Sequence, residues 1–354
     1  MTNLTQKTQH PGLGIRSALL KWLSDGRKLA FCATDRPAAI AWQKKARAAL
    51  QKSLGPELPK VPLKPRVLEV VDLDGYTRTL LTLDTAPHVK ALAWLCVPHD
   101  IPKGERRPAM IATPGHGHGA KNLIGMDHLG QPREEGTGYQ KDYGLAAVRL
   151  GYPVLAIEPL GFGDRRDLDH RFGKDGKPVS ESGCHAAFAL ATMLGSSLAR
   201  LRVNDLQRGL DFFQTVPQVD PKRIGLMGIS GGGQMTLWTT AVEPRFKAAI
   251  VSGYINEFRH SVLGIHHCIC NFVPGLAQHL DMADLAALVA PRPLLIQSGT
   301  KDDIFPIKAT RSAVKEIRAA YSVFGVKENV DVDIFEGDHQ WSPTKVAAFL
   351  KRSL

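Results

Sequence analysis

The C-terminal part of the chain alternates between short apolar runs and longer stretches with helical periodicity. Six apolar runs of five or six residues occur after residue 107, and each is too short to be a buried helix. Such runs, separated by helical segments, are typical of a mostly parallel sheet that helices cover on both faces. The predicted strands are 109–113, 153–157, 223–228, 248–252, 293–298 and 330–335.

One of the intervening stretches, between the second and third runs, has a clear helical period. Its apolar side chains are spaced alternately four and three residues apart, which predicts a helix with a single buried stripe. The residues of this stripe are Ala199, Val203, Leu206, Leu210 and Phe213.

The N-terminal part of the chain shows two other patterns. Residues 14–54 carry apolar positions three or four residues apart, and Gly55-Pro56 ends the pattern, so helices are predicted up to that point. Three β-rich runs follow between Val67 and Val97, and Asp74-Gly75 is a hairpin signal between the first two. We therefore expect antiparallel strands at the start of the sheet.

One large α/β sheet with additional elements accommodates a chain of 354 residues. We predict a helical extension over residues 1–60, which packs on a single α/β domain over residues 61–354. Residues 161–195 fit neither the strand period nor the helix period, and they contain the turn sequence GKDGKP. We interpret them as an insertion above the sheet, where the ligand sites of open α/β folds lie.

The composition argues against several classes of protein. The formal net charge is +11, but Lys and Arg are dispersed among acidic residues, so we expect no nucleic-acid partner. Five cysteines without a recurring spacing argue against a disulfide framework and favour a reducing compartment. The polar N-terminus has no signal-like apolar region, and no apolar stretch approaches the ~18 residues of a membrane span. We expect a cytoplasmic protein without a membrane partner; its oligomeric state, a homo-oligomer included, stays open.

The clearest chemical signal is the segment Gly228-Ile229-Ser230-Gly231-Gly232, which matches the pattern Gly-x-Ser-x-Gly. It directly follows a predicted strand and precedes a helical stretch, as a nucleophile elbow does. In such an elbow a sharp turn exposes the serine hydroxyl, and glycines are required where side chains would collide with neighbouring backbone. A phosphate-binding loop is the alternative, but the Walker lysine is absent. Ser230 is therefore predicted to be a nucleophile.

A serine hydroxyl needs a histidine base, and that base needs a carboxylate to orient it. In enzymes with this elbow the acid and then the histidine follow the serine along the chain. Asp302 comes just after the predicted strand 293–298, and His339 comes just after the strand 330–335. We predict His339 as the general base and Asp302 as the orienting acid, with Asp303 as its rival.

Acyl transfer also needs two backbone N–H groups that stabilise the developing oxyanion. Gly231, the residue after the nucleophile, provides the first. The second is expected from the glycine-rich segment ATPGHGHGA at residues 112–120, because its glycines let the backbone approach a substrate closely. His118 is our choice for this donor, and Gly117 is the alternative.

Several histidines and cysteines raise the question of a metal site. They are His116 and His118 in the glycine-rich segment, and the later segment His266-His267-Cys268-x-Cys270. Adjacent residues on a strand point to opposite faces, and no second pair of donors at a zinc-like spacing completes four ligands. We therefore predict no metal and no cofactor.

With these residues assembled, the chain resembles the α/β-hydrolase superfamily from about Arg66 to the C-terminus. The segments GHGHG, YPVLAIEPLGFGDRRD, RIGLMGISGGGQ and DLAALVAPRPLLIQSGTKDDIFP occur in the family order and at family-like intervals. Within the superfamily the chain is similar to the bacterial branch near dienelactone hydrolases and acetyl xylan esterases. The resemblance implies the α/β-hydrolase fold, and it favours Asp302 because relatives carry Gly-x-x-Asp-x-x-x-Pro, counted here from Gly299.

The departures from these relatives narrow the expected activity. Glucuronoyl esterases carry an arginine shortly after the nucleophile, where this chain has Gly231-Gly232-Gly233. Typical dienelactone hydrolases use cysteine, and the Arg-Gly-Gln motif of cephalosporin and acetyl xylan deacetylases is absent. We expect a serine esterase that acts on small-molecule esters with small acyl groups or carbohydrate-type alcohols. The alternatives are a prolyl-oligopeptidase-like peptidase, a lactone hydrolase and a non-catalytic binding protein. The loop 160–166 either lines the pocket or has a structural role.

Overall fold

The structure is a computed structural model that describes residues 18–19, 21, 26–167 and 183–354. Nine strands of these residues form one sheet. The strands are β1 (Arg66–Leu73), β2 (Tyr76–Ala86), β3 (Val89–Pro98), β4 (Arg107–Thr113), β5 (Val154–Ile157), β6 (Val219–Ile229), β7 (Ala249–Ser252), β8 (Leu294–Gly299) and β9 (Val330–Phe335). The α-helices are α1 (Arg36–Leu54), α2 (Tyr143–Arg149), α3 (Cys184–Met193), α4 (Leu198–Phe213), α5 (Gly231–Val242), α6 (Leu276–His279), α7 (Met282–Ala287), α8 (Ile307–Val323) and α9 (Val346–Ser353).

The strand order in the sheet is β1-β2-β3-β5-β4-β6-β7-β8-β9. The first three strands form antiparallel hairpins, and β3 also pairs antiparallel with β5. The strands β5, β4, β6, β7, β8 and β9 are parallel to their neighbours in this part of the sheet. The mostly parallel sheet with antiparallel N-terminal strands is therefore confirmed, and each predicted strand overlaps an observed one.

Helices cover both faces of the sheet, and alternate residues of a central strand show this most clearly. In β4, Ala109 and Ile111 pack against the helix α4, whereas Met110 and Ala112 point to the opposite face and pack with α2. Because successive strand residues point to opposite faces, a strand covered on both sides must be apolar throughout. Full burial of one Ile side chain contributes roughly 1.5–3 kcal/mol. Apolar contacts on both faces therefore hold β4 in the middle of the sheet.

The N-terminal helix α1 forms as the sequence predicts. Asp35 caps it, because its Oδ1 accepts a hydrogen bond from the Ala38 N–H at 2.8 Å, and Gly55 with φ 102° follows its last turn. One face of α1 is buried in the same hydrophobic cluster as α5 and α8. The preceding helix was predicted over 16–29. Residues 26–29 instead form a turn, whose Lys28 and Leu29 N–H groups donate to the carbonyls of Gln278 and His279.

The predicted helix from 16 to 25 falls largely outside the described residues, as does the part of the predicted insertion at 168–182. No helix in the described ranges combines the length and apolar character needed to cross a lipid bilayer. The five cysteines are all free thiols.

Candidate active site

Ser230 lies in a strained turn between the strand β6 and the helix α5. Its backbone has φ 59° and ψ −121°, a region that residues with a side chain rarely adopt. The turn is held in place because the Ser230 N–H donates to the Ser252 carbonyl of the neighbouring strand at 3.0 Å. This is the geometry of a nucleophile elbow, in which the hydroxyl projects above the end of the sheet.

The glycines around the serine are required by close backbone contacts. A Cβ atom at Gly228 would lie 2.3 Å from the Gly232 carbonyl oxygen, and one at Gly232 would lie 2.0 Å from the Thr113 carbonyl oxygen. Neither acceptor belongs to a flexible side chain, so a larger residue would force the elbow apart. The Gly-x-Ser-x-Gly pattern therefore reflects packing between β4, β6 and α5.

Asp302 and His339 form a hydrogen-bonded pair. His339 Nδ1 lies 2.7 Å from Asp302 Oδ2, and the other carboxylate oxygen accepts hydrogen bonds from the Ile304 and Phe305 N–H groups at 2.9 Å each. The Asp302 side chain is buried, whereas Asp303 is exposed. Of the two neighbouring carboxylates, Asp302 is therefore the one that contacts His339. A carboxylate at Nδ1 keeps the proton on that nitrogen and leaves Nε2 as an acceptor.

The imidazole of His339 is fixed between two aromatic rings. The centroids of Tyr139 and Phe305 each lie 5.7 Å from that of His339, and both rings are nearly parallel to it. Its edge packs on Gly253, where a Cβ atom would lie 2.9 Å from His339 Cε1. Neither Tyr139 nor Phe305 was predicted from the sequence. The position of Phe305, three residues after Asp302, was the only local signal for either.

Ser230 and His339 have common neighbours but no hydrogen bond joins them. The Tyr139 hydroxyl packs on Gly115, at which a Cβ atom would lie 3.0 Å from Ser230 Cβ. The same tyrosine stacks on His339, and Gly253 lies next to both His339 and the elbow. His339 Nε2 is buried and has no hydrogen-bond partner among the described residues. Asp302 therefore occupies Nδ1 of His339, and Nε2 of the same ring is free to accept a proton.

The glycine-rich loop after β4 runs beside the elbow, and some of its amides are already bound. The His118 N–H donates to Asn122 Oδ1 at 3.0 Å, and the Gly115 N–H donates to Gln140 Oε1 at 3.0 Å. The His116 ring packs against Gly231, whose Cβ position lies 3.1 Å from it. In the part of the chain that the structure describes, the amides of His116 and Gly117 have no acceptor. The geometry therefore weighs against His118, the donor chosen from the sequence.

A buried carboxyl group supports this loop from below. Glu158 is fully buried, its Oε2 accepts a hydrogen bond from the Ala120 N–H at 2.7 Å, and its Oε1 has no partner among the described residues. Cβ atoms at Gly119 or Gly163 would collide with the carboxyl group, so both positions require glycine. Burial raises the pKa of Glu158 from its ordinary 4.5 to about 7.

This raised pKa predicts a pH-dependent stability. Between pH 4.5 and about 7 the unfolded chain loses the Glu158 proton while the folded protein keeps it, so the group's stabilisation is complete below pH 4.5 and is lost as the pH rises to about 7. Glu158→Gln removes the titration. We expect the free energy of unfolding of this variant, measured with urea and taken relative to that of the wild type, to rise by roughly 2–3 kcal/mol between pH 5 and pH 8. A parallel pH dependence in the two proteins would contradict the assignment, and Glu328→Gln, at an exposed carboxyl, is the control.

A pocket of about 360 Å³ opens beside the glycine-rich loop. Its lining includes Gly117, His118, Asn122, His128, Arg133 and Tyr139, and polar side chains stand among mainly apolar surface.

The loop 160–166 is held in place by ion pairs and packs beside the site. Arg165 is tied to Asp205 by an ion pair of 2.5 Å, and Asp164 pairs with Lys121 at 2.7 Å. The Phe162 ring lies 4.6 Å from that of His116 and also borders Gly231. Because the Phe162 side chain is fully buried, it supports the His116 ring from within the protein. Of the two roles considered for this loop, these contacts favour the structural one.

Four potential metal ligands meet behind the glycine-rich loop, which corrects one step of the sequence analysis. They are His116, Cys184, Cys268 and Cys270, whose ligand atoms all lie within 4.8 Å of one another. No four donors were expected to meet, because the adjacent residues of the segment His266-His267-Cys268 were assigned to a strand and Cys184 was not considered. His118, His266 and His267 are not part of the group.

The chain is similar to several known proteins. Residues 190–339 match the prolyl oligopeptidase family. "Putative hydrolase YtaP" of Bacillus subtilis (strain 168) is 30% identical over 289 residues, which cover 80% of this chain and 89% of that protein. "Carbohydrate esterase MZ0003" of an unknown prokaryotic organism is 28% identical over 182 residues, 46% of this chain and 38% of that protein. The crystal structure of a putative acetyl xylan esterase from Bacteroides fragilis NCTC 9343 has a TM-score of 0.76 at 18% identity, with 96% of this chain and 85% of that chain covered, which shows a common fold.

Proposed function

Because the chain belongs to the α/β-hydrolase superfamily, in the branch near acetyl xylan esterases and dienelactone hydrolases, we propose that it is a serine esterase. The observation that carries this proposal is the buried Asp302–His339 pair beside the strained elbow of Ser230. A carboxylate, an imidazole with a free Nε2 and a serine on an elbow are the groups that acyl transfer requires. The resemblance to "Carbohydrate esterase MZ0003" supports an ester, rather than an amide, as the substrate.

In the first step the Ser230 side chain rotates toward His339 Nε2, which has no other partner among the described residues. Catalytic hydrogen bonds that are absent without substrate often form in the substrate complex. His339 takes the hydroxyl proton as the oxygen attacks the ester carbonyl, and Asp302 stabilises the imidazolium that forms. The alcohol then leaves with that proton, and the acyl group stays on Ser230.

Two backbone amides stabilise the oxyanion of the tetrahedral intermediate. The first belongs to Gly231, at the N-terminus of α5, where the helix dipole also favours negative charge. For the second we propose His116 in place of His118, with Gly117 as the alternative, because the His118 amide is bound to Asn122 whereas the other two amides are unbound, and the ring of His116 packs on Gly231. In the second step water attacks the acyl-enzyme while His339 takes its proton, and the same two amides hold the second oxyanion. The bond to the Ser230 oxygen then breaks, this oxygen takes the proton from His339, and the carboxylic acid leaves.

The pocket beside the glycine-rich loop is the proposed binding site for the small-molecule ester. The side chains of His118 and His128 and the amide NH2 of Asn122 offer hydrogen-bonding groups there, which suits a polar, carbohydrate-type alcohol. We also propose that the protein acts in the cytoplasm, since its five free cysteines suit a reducing compartment. A small acyl group is expected, because Phe162 and the His116 ring narrow the space above Gly231.

The match to the prolyl oligopeptidase family makes a peptidase the second candidate. The two functions are distinguished by incubating the protein with acetylated xylo-oligosaccharides and with a proline p-nitroanilide peptide. We expect Ser230-dependent release of acetate, and amide cleavage no faster than that of the Ser230→Ala protein. Cleavage of the proline amide that requires Ser230, without release of acetate, would contradict the esterase.

A further inference from the structure

One histidine and three cysteines, here called the Cys3His cluster, converge behind the loop that carries the proposed oxyanion donor. His116 Nε2 lies 3.0 Å from Cys268 Sγ, 3.4 Å from Cys270 Sγ and 3.7 Å from Cys184 Sγ. In a tetrahedral zinc site with Zn–S near 2.3 Å and Zn–N near 2.0–2.1 Å, the nitrogen and sulfur ligands are about 3.6 Å apart. From this we propose that the Cys3His cluster binds one zinc ion, which fixes the loop beside the nucleophile.

The donors come from three separate segments of the chain. His116 lies in the loop after β4, Cys184 is the first residue of α3, and Cys268 and Cys270 belong to the short 3-10 turn before α6. Cys268 and Cys270 are two residues apart on this turn, and both of their Sγ atoms face His116 Nε2. Convergence of three segments on one set of soft donors is what a structural metal site requires.

Arg202 supplies the positive charge that such a site needs. Its side chain is 1% exposed, and its Nη2 donates to Cys184 Sγ at 3.1 Å. Its other described hydrogen bonds go to the Leu160 carbonyl, and no carboxylate of the described residues pairs with it. A zinc ion with three thiolates and a neutral imidazole carries a net charge of −1, which the guanidinium balances. Since an unpaired buried charge is costly, a metal-thiolate centre explains why an arginine is buried here.

The nitrogen and sulfur donors of the Cys3His cluster favour zinc over other ions. The cluster offers one nitrogen and three sulfur atoms and no carboxylate oxygen, which excludes magnesium and calcium. Zinc prefers the tetrahedral Cys3His set in structural sites. A disulfide is the competing explanation, but it would join two of the cysteines and leave the third sulfur and the histidine without a role.

The position of the cluster indicates what the ion does. The His116 ring, a ligand through Nε2, also packs on Phe162 and on Gly231 next to the nucleophile. An ion there would hold the His116 amide in place and anchor both α3 and the 268–270 turn. Four protein ligands fill a tetrahedral site, so the ion positions the loop and does not contact the substrate.

The test begins with the full-length protein, produced in zinc-supplemented medium and purified without a chelator. Mass spectrometry of the metal content will give about one zinc per chain. Cys184→Ser and Cys270→Ser will retain less than about a tenth of that zinc. Cys32→Ser, at an exposed cysteine outside the cluster, will retain all of it. Ser230→Ala will also retain its zinc, which separates this site from the proposed esterase activity.

Cobalt substitution gives a measurement on the unmutated protein, in case the cysteine variants do not fold. Co²⁺ bound by three thiolates and an imidazole will show thiolate-to-cobalt charge-transfer absorption and the strong visible bands of a tetrahedral ion. The proposal is overturned if folded wild-type protein contains no zinc and gives no such bands. It is equally overturned if peptide mapping finds a disulfide between two cluster cysteines, or if the cluster variants keep their zinc.

Discussion

Replacing Ser230 with alanine will lower kcat/KM for ester hydrolysis by at least about a thousandfold, with little change in the melting temperature. The loss is large because the acyl-enzyme cannot form without the hydroxyl, and the oxyanion donors alone retain only a small part of the rate. The melting temperature should change little, because alanine accepts the elbow backbone no worse than serine and no described hydrogen bond involves Ser230 Oγ. Steady-state kinetics with a p-nitrophenyl acyl ester measure the effect.

The matched control for this prediction is Ser322→Ala. Ser322 lies on α8, and among the described residues its hydroxyl donates to the Arg318 carbonyl of the same helix. That variant should keep the wild-type kcat/KM. A Ser230→Ala protein that hydrolyses the ester within a few-fold of wild type would show that another group is the nucleophile.

The second large effect is expected for Asp302→Asn, with a loss of kcat of about 10²–10⁴-fold. Asparagine can still accept the Ile304 and Phe305 N–H groups through Oδ1, so the local backbone should keep its conformation. Its amide NH2 would then face His339 Nδ1, which must become the acceptor. The ring therefore takes the tautomer with the proton on Nε2, and it can no longer accept the serine proton.

The neighbouring residue provides the control for this second prediction. Asp303→Asn removes an exposed carboxylate one residue away, and it should leave kcat unchanged. Measurements at several pH values guard against a simple shift of the optimum. Equal losses in the two variants, or a loss only in Asp303→Asn, would mean that Asp302 does not orient the histidine in the working enzyme.

The fold was predictable because its determinants are local. The central parallel strands are buried on both faces, so each appears in the sequence as a short apolar run. The Asp74-Gly75 hairpin and the Gly55 helix end are likewise set by one or two residues. The turn at 26–29 was mistaken for a helix because its contacts, with the carbonyls of Gln278 and His279, come from a distant part of the chain.

In the candidate site, too, some residues could be predicted from the sequence and others could not. Ser230, Asp302 and His339 each follow a strand at the same edge of the sheet, and their order in the chain identifies them. Tyr139 and Phe305, which enclose the His339 ring, meet only in the folded protein.

The choice of an oxyanion donor from the sequence was uncertain for a related reason. Which amide of the loop remains free depends on a side chain, since Asn122 takes the His118 N–H. The Cys3His cluster was missed because Cys184 lies far along the chain from its partners. Sequence order therefore reveals groups at strand ends, but not contacts made by loops.

Covalent labelling with a fluorophosphonate tests the central claim most directly, because this reagent reacts with a serine only when a base activates the hydroxyl. The protein is labelled, digested, and mapped by mass spectrometry. We predict a single phosphonyl adduct on Ser230 in the wild type, with labelling at least about a hundredfold slower in Asp302→Asn. An active wild-type enzyme that carries no adduct, or carries it on another residue, would contradict the assignment of Ser230, His339 and Asp302 as one catalytic unit.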